Sequence, residues 1–199
     1  MKIICMTGGL ASGKTTASEL LQSRGAEIID ADKLGHRAYD PGTQAYLKVI
    51  EAFGQDIVAA DHQIDRRALG GKVFGKPEEL EKLTNIVWPE IRRLAELEIA
   101  GYEATYPNAI VVLEAAVLFE ASWEDIGDEI WVLAVDREVA VARAMARDNA
   151  DRAAVESRID SQLSNEERIA RATTVIYNNG DQESMIEQLE AEWLRVSQS

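Results

Sequence analysis

The run Gly8-Gly9-Leu10-Ala11-Ser12-Gly13-Lys14-Thr15 constrains this chain more than any other segment. It spells G-x-x-x-x-G-K-[ST], and its surroundings are those the motif requires. Residues 2–7 form a short apolar run that reads as a strand buried on both faces, and 14–22 carry a helical pattern. Strand, glycine-rich turn and helix together make a phosphate-binding loop, or P-loop. Backbone N–H groups converge on phosphate oxygens at the positive end of a helix, Lys14 adds a point charge, and the Thr15 hydroxyl is a ligand for Mg²⁺. By itself the loop indicates a nucleoside triphosphate and leaves open a kinase, a switch or a motor ATPase.

The rest of the chain alternates in the same manner. Strands are expected over 26–29, 109–113, 129–135 and 173–176, with helices over 139–147 and near the C-terminus. Short buried strands between helices predict a doubly covered parallel sheet, with functional groups at the strands' carboxyl ends. Residues 33–106 change to a helical period broken by turn signals at Pro41-Gly42, Gly54, Gly70-Gly71 and Lys76-Pro77, and read as a helical insertion into a core of 1–32 and 107–199. Leu80, Leu83, Val87, Ile91 and Leu94 would form the apolar face of its last helix, with a bend or restart at Pro89. Ile186, Leu189, Trp193 and Val196 would do the same for the closing helix. The stretch from Glu114 to Asp136 holds seven acidic and no basic side chains and reads as a solvated edge.

Charge and composition narrow the partners. Twenty-one Lys and Arg against 35 Asp and Glu give a net charge of -14, which disfavours nucleic acid and anionic membrane surfaces. No apolar run approaches the roughly 18 residues of a membrane span. The single cysteine, Cys5, cannot form an internal disulfide, and Gly8-Gly9 interrupts the N-terminal apolar stretch before a signal peptide could develop, so a cytoplasmic protein is expected. All seven lysines lie at or before Lys82, so anion chemistry in the second half falls to arginine. Arg143 and Arg147, at i and i+4, share one helix face and suit a clamp on transferring phosphate, or equally a solvated pair balancing Glu138, Asp148 and Asp151. Asp32, just past the second strand, suits either deprotonation of an acceptor hydroxyl or capping of the next helix. His36 and His62 lack partners at metal-ligand spacing and read as surface or core histidines. The four tryptophans read as core, with Trp88 the one placed to stack on a ligand.

Ile29-Asp30-Ala31-Asp32, Leu34-Gly35-His36-Arg37-Ala38-Tyr39, Ile64-Asp65-Arg66, Trp88-Pro89 and Glu114-Ala115-Ala116-Val117-Leu118-Phe119-Glu120 carry a resemblance that spans nearly the whole chain. It is to the dephospho-CoA kinases, especially the kinase domain of the eukaryotic bifunctional CoA synthase. The resemblance implies a P-loop kinase fold of five parallel strands flanked by helices, a helical substrate-binding insertion and a mobile lid at about 143–165. It implies phosphorylation of the ribose 3′-hydroxyl of dephospho-CoA by MgATP, by a chain acting as a monomer. Asp32, Lys14 and Arg143 become the catalytic residues. Gly9, Leu10, Ala11, Ser12, Gly13, Lys14, Thr15 and Thr16, with Arg143, Arg147 and Asn179, become the ATP site. Asp32, His36, Arg66, Trp88 and Glu114 face the acceptor, and Thr15 the metal. Another small-molecule P-loop kinase and a nucleotide-dependent switch are the competing readings.

This chain departs from many bacterial members at Trp88, where they carry His, at Ala116, where they carry Pro, and at Glu114, where they carry Asp. Ala11 replaces a frequent loop glycine, harmlessly only if its φ is negative. The adenylyltransferase region fused to the kinase in CoA synthase is not in the sequence, so dephospho-CoA is expected from a separate protein.

Overall fold

The structure, a computed structural model, describes residues 1–198. In chain order the elements are β1 (Lys2–Gly8), α1 (Lys14–Ser23), β2 (Glu27–Asp30), α2 (Ala31–Arg37), α3 (Gln44–Phe53), α4 (Arg66–Val73), α5 (Pro77–Thr105), β3 (Ile110–Glu114), β4 (Glu129–Ala134), α6 (Arg137–Asp148), α7 (Arg152–Asp160), α8 (Asn165–Ala170), β5 (Thr174–Tyr177) and α9 (Gln182–Ser197). The five strands form one parallel sheet in the order β2-β3-β1-β4-β5. The chain leaves β1 toward one edge and returns to β4 on the other side, so the carboxyl end of β1 is the topological switch point where such sheets bind ligands. Cys5 pairs with Leu113 on one side and Ile130 on the other, which puts the loop after Gly8 at that point.

The chain divides into two compact units, Met1–Ile29 with Gly101–Ser199, and Asp30–Ala100. The first holds the sheet. Ile4, Met6, Trp131, Leu133 and Ile176 from its strands meet Leu21 of α1 and Met185 and Leu189 of α9, all at most 1% exposed. Each such side chain contributes about 1.5–3 kcal/mol on burial. The seam of α9 therefore runs through Met185 in place of the expected Ile186, with Trp193 only partly buried beside it.

The second unit is helical. In α5 the buried seam is Val87, Ile91, Ala95 and Ile99. Leu80 is exposed and Leu83 and Leu94 only half-buried, so the seam expected from the N-terminal leucines lies further along the helix. Nor does the helix restart at Pro89, which lies inside it. Proline in a helix interior costs about 3 kcal/mol, a loss that the packing of these four buried side chains offsets.

The acidic stretch is a solvated edge only in part: Asp125, Asp128 and Asp136 are exposed, whereas three of its glutamates meet cations. Glu120 meets Arg168, Glu124 meets Arg171, and Glu129 lies in a network with Arg195, Lys2 and the Trp131 indole. The cations come from β1, α8, α9 and the segment after α8, so composition of the acidic stretch alone did not reveal them. Two Arg195 nitrogens reach the Glu129 carboxylate at 3.0 and 2.6 Å, and with Trp131 and Lys2 they hold its pKa down to about 2, against the raising effect of burial. A carboxylate with a depressed folded pKa stabilises the protein above its unfolded pKa of about 4.5, and that stability is lost as pH falls toward 2. Allowing for solvent screening at the half-exposed Arg195, the contribution at neutral pH is about 2 kcal/mol. Glu129→Gln is expected to lower stability by that amount at pH 7, with the difference from the parent shrinking steadily between pH 4.5 and 2. Melting temperatures of both proteins across that range check it, and identical pH slopes would remove Glu129 as the cause.

Candidate active site

The P-loop is built by close approach. A Cβ on Gly8 would lie 2.5 Å from Ser12 Oγ and 2.6 Å from the Leu133 carbonyl, and one on Gly13, at φ 97°, would lie 2.5 Å from Asn178 Nδ2. Only glycine satisfies both the conformation and the space at 13. Gly13 is the N-cap of α1, which has neither a side-chain cap nor an acid in its first turn. By contrast α2, α3, α4, α7, α8 and α9 are capped by Asp30, Thr43, Asp65, Asp151, Ser164 and Asp181. An anion is the natural partner for the first-turn N–H groups of α1. Lys14 Nζ donates to the carbonyls of Gly8 at 2.8 Å and Gly9 at 3.3 Å, which folds the ammonium back over the loop.

Ala11 does not keep a negative φ. It sits at φ 56°, in the left-handed region where a Cβ costs roughly 1–2 kcal/mol. Its methyl group and Leu10 pack against Val141, Ala144 and Val155 of α6 and α7, and burial of a methyl group returns about 0.8 kcal/mol of that cost.

Two more segments close on the loop. Asn178, after β5, donates from Nδ2 to the Ser12 carbonyl at 2.9 Å, and its own carbonyl accepts from Arg143 Nη1 at 2.8 Å. The second Arg143 nitrogen donates to the Gly180 carbonyl at 3.0 Å. Asn179, expected in the ATP site, instead accepts from the Asp136 N–H at 2.7 Å, while its buried neighbour Asn178 touches the P-loop. Arg143 and Arg147 also part company. Arg147 is exposed and pairs with Asp148, which Arg158 also holds, and these two guanidiniums keep the Asp148 carboxyl far below the usual carboxylate range.

Glu114 ends β3 opposite Met6 of β1, and accepts a hydrogen bond from Ser18 Oγ at 2.5 Å. Ser18 lies three residues beyond Thr15 on α1, so the longer side chain reaches the same helix face as the exposed Thr15 hydroxyl. On the other side of the loop, Gln162 accepts from the Leu10 N–H at 3.0 Å, and a cavity of about 590 Å³ opens between the P-loop, the carboxyl end of β4 and residues 159–169. Gln162, Arg168 and Asn178 are the residues of this neighbourhood that sequence reasoning missed. Only the absence of lysine from the second half of the chain pointed toward an arginine there.

In the helical unit Asp32 is the second residue of α2, and the cap is Asp30, whose Oδ1 accepts from the N–H groups of Asp32 and Lys33 at 3.0 and 3.1 Å. Capping is thus not the task of Asp32. Arg66 opens α4 and donates to the His36 carbonyl at 3.2 Å, which brings two expected acceptor residues together. Trp88 is half-buried on α5. Trp123 and Trp131 are core, as expected, and His36 is on a helix surface, whereas His62 lies in a loop at φ 66°. Among the described residues no three His, Cys, Asp or Glu side chains group as a metal site, and no helix is long and apolar enough to cross a membrane.

Residues 2–184 match the family described as dephospho-CoA kinase. The chain is 43% identical over 195 residues to a dephospho-CoA kinase of Geobacter sulfurreducens, with 98% of each chain covered. Among solved structures it is similar to TT1252 from Thermus thermophilus, with a TM-score of 0.82 and 35% identity over 98% of this chain and 97% of that one. It is also similar to a dephospho-CoA kinase from Campylobacter jejuni, with a TM-score of 0.73 and 28% identity over the same shares. With a complete P-loop at the switch point of a five-stranded parallel sheet and a match over nearly its full length, the chain belongs to the dephospho-CoA kinase family.

Proposed function

We propose that this chain transfers the γ-phosphoryl group of ATP to the ribose 3′-hydroxyl of dephospho-CoA, giving CoA and ADP. The observation that carries the reading is the P-loop itself, with its uncapped α1 and folded-back Lys14, in a chain of this family. Residues Gly9 to Thr16 hold the triphosphate through backbone N–H groups, and Lys14 balances its charge. Thr15 and Glu114 supply hard oxygen donors on one side of the loop, the arrangement Mg²⁺ accepts when phosphates and water complete its shell, and Ser18 steadies the carboxylate. When bound, Mg²⁺ neutralises charge on the phosphates.

Asp32 accepts the proton of the 3′-hydroxyl as the P–O bond forms, a role supported by Asp30 having taken the capping task. His36, Arg66 and Trp88 contact dephospho-CoA, and residues 30–100 form its binding unit. Residues 143–165 act as the lid. Arg143, fixed by two carbonyls beside the P-loop, is better placed than Arg147 to face the nucleotide, and Asn179 supports the loop that positions it. The enzyme works as a monomer in the cytoplasm, where a chain whose single cysteine, Cys5, is buried needs no disulfide.

A coupled assay of ADP release tests the reading. With MgATP, ADP formation is expected to depend on dephospho-CoA and to stay at background with nucleoside monophosphates. A response to a nucleoside monophosphate instead, or slow hydrolysis indifferent to any acceptor, would replace it.

A further inference from the structure

Arg168 is the one cation among the buried polar side chains of the described residues, 2% exposed, and it is poorly partnered for such a position. Its Nη1 donates to the Leu163 carbonyl, its Nη2 reaches Glu120 Oε1 only at 3.3 Å, and its Nε has no partner. The other oxygen of Glu120 is buried and also unpartnered. A buried ion pair offsets its desolvation only when the remaining hydrogen-bonding positions are filled, and here both members fall short. Burial holds the Arg168 pKa below the ordinary arginine value despite Glu120, in keeping with a guanidinium short of counter-charge.

Its location says which charge would complete it. Arg168 lines the 590 Å³ cavity together with Gly9 and Leu10. A methyl group on Gly9 would lie 3.6 Å from Arg168 Nη1, and the Gly9 carbonyl accepts from Lys14 Nζ at 3.3 Å. Two cations therefore bracket one residue of the loop. The P-loop lysine serves the β- and γ-phosphates, while the helix N-terminus serves those nearer the nucleoside. Gly9, whose carbonyl the Lys14 ammonium reaches across the loop, thus marks the terminal-phosphate end.

We propose that Arg168 ligates a terminal phosphoryl oxygen of the nucleoside triphosphate in the P-loop, exchanging its long contact with Glu120 for that oxygen. The proposal rests on the reading of the P-loop as an ATP site. It makes Arg168 a sensor of the third phosphate. Phosphoryl transfer moves that group away, and Arg168 then returns to Glu120, so the site holds ADP less tightly than ATP.

Calorimetric titration tests it, with the Mg²⁺ complexes of ADP and of the β,γ-imido analogue of ATP. Arg168→Met is expected to weaken the triphosphate analogue on the order of 10- to 100-fold and ADP by less than about 3-fold, with Arg168→Lys between parent and Met. Equal losses for both nucleotides would assign Arg168 a purely structural role and overturn the proposal, as would no loss for either. Should the methionine variant not fold, Glu120→Gln gives the answer: removal of the competing carboxylate charge is expected to tighten the triphosphate several-fold, and an unchanged or weaker affinity overturns the idea. ADP release in response to dephospho-CoA is measured on the same preparations. A parent that ignores dephospho-CoA yet shows the Arg168-dependent preference supports this inference and overturns only the acceptor assignment.

Discussion

Lys14→Ala is expected to lower kcat on the order of 10³-fold while the folded protein keeps its stability to within about 1 kcal/mol. The reasoning separates the two roles of the side chain. In the structure its ammonium donates to the Gly8 and Gly9 carbonyls, a contact within a half-buried loop that water can replace. The sheet cluster that carries the core is built from the apolar faces of β1, β3, β4, β5, α1 and α9 and does not include Lys14. During phosphoryl transfer the same ammonium faces charge spread over the terminal phosphate, and water replaces it poorly there because it is not preorganised. Steady-state kinetics beside a thermal melt check the prediction. A variant that folds and keeps near-normal turnover would show that the loop does not serve phosphoryl transfer.

Asp32→Asn is expected to reduce kcat by about 10²- to 10⁴-fold, the usual worth of general-base catalysis, with little change in ATP affinity. Asparagine keeps the shape and removes only the charge and the basicity. Because Asp30 supplies the cap of α2, the substitution leaves the cap in place, and loss of a negative charge in the first helical turn contributes roughly 0.3–1 kcal/mol to the stability change. Asp30→Ala is the informative contrast. It removes both capping bonds and costs about 1 kcal/mol of stability. Measurement of kcat and melting temperature for the two variants separates base from cap, and a fully active Asp32→Asn enzyme would end the catalytic assignment.

What was legible in the sequence was what is local. The P-loop is contiguous, and its flanking strand and helix follow from periodicities that a few residues suffice to show, so the sheet and the loop's position came through. Groups brought to the loop from far along the chain did not. Gln162 and Arg168 sit in a polar, arginine-rich stretch whose pattern resembles any solvated helix, and only their approach to Gly9 and Leu10 sets them apart. Asn178 and Asn179 differ by a single residue at the end of a strand, where one step reverses the side a side chain takes, and the register that decides it comes from the pairing of β5 with β4. Arg147 shows another limit. Its i, i+4 spacing puts it on the helix face of Arg143, yet the adjacent Asp148, which Arg158 also holds, draws it elsewhere.

The strand order bears on how the chain is made. β1 pairs only with β3 and β4, and β2 lies beside β3, so no two strands of the sheet can join before Ile110 has been synthesised. At translation rates of about 5–20 residues per second, the apolar Ile3-Ile4-Cys5-Met6 segment waits on the order of ten seconds outside the ribosome without its neighbours. Over that interval the future centre of the protein is an unpaired, strongly β-forming segment, the kind that chaperones shield. The yield of active protein in a cell is thus expected to depend on how long those four residues stay without their neighbours during synthesis as well as on the final stability of the fold.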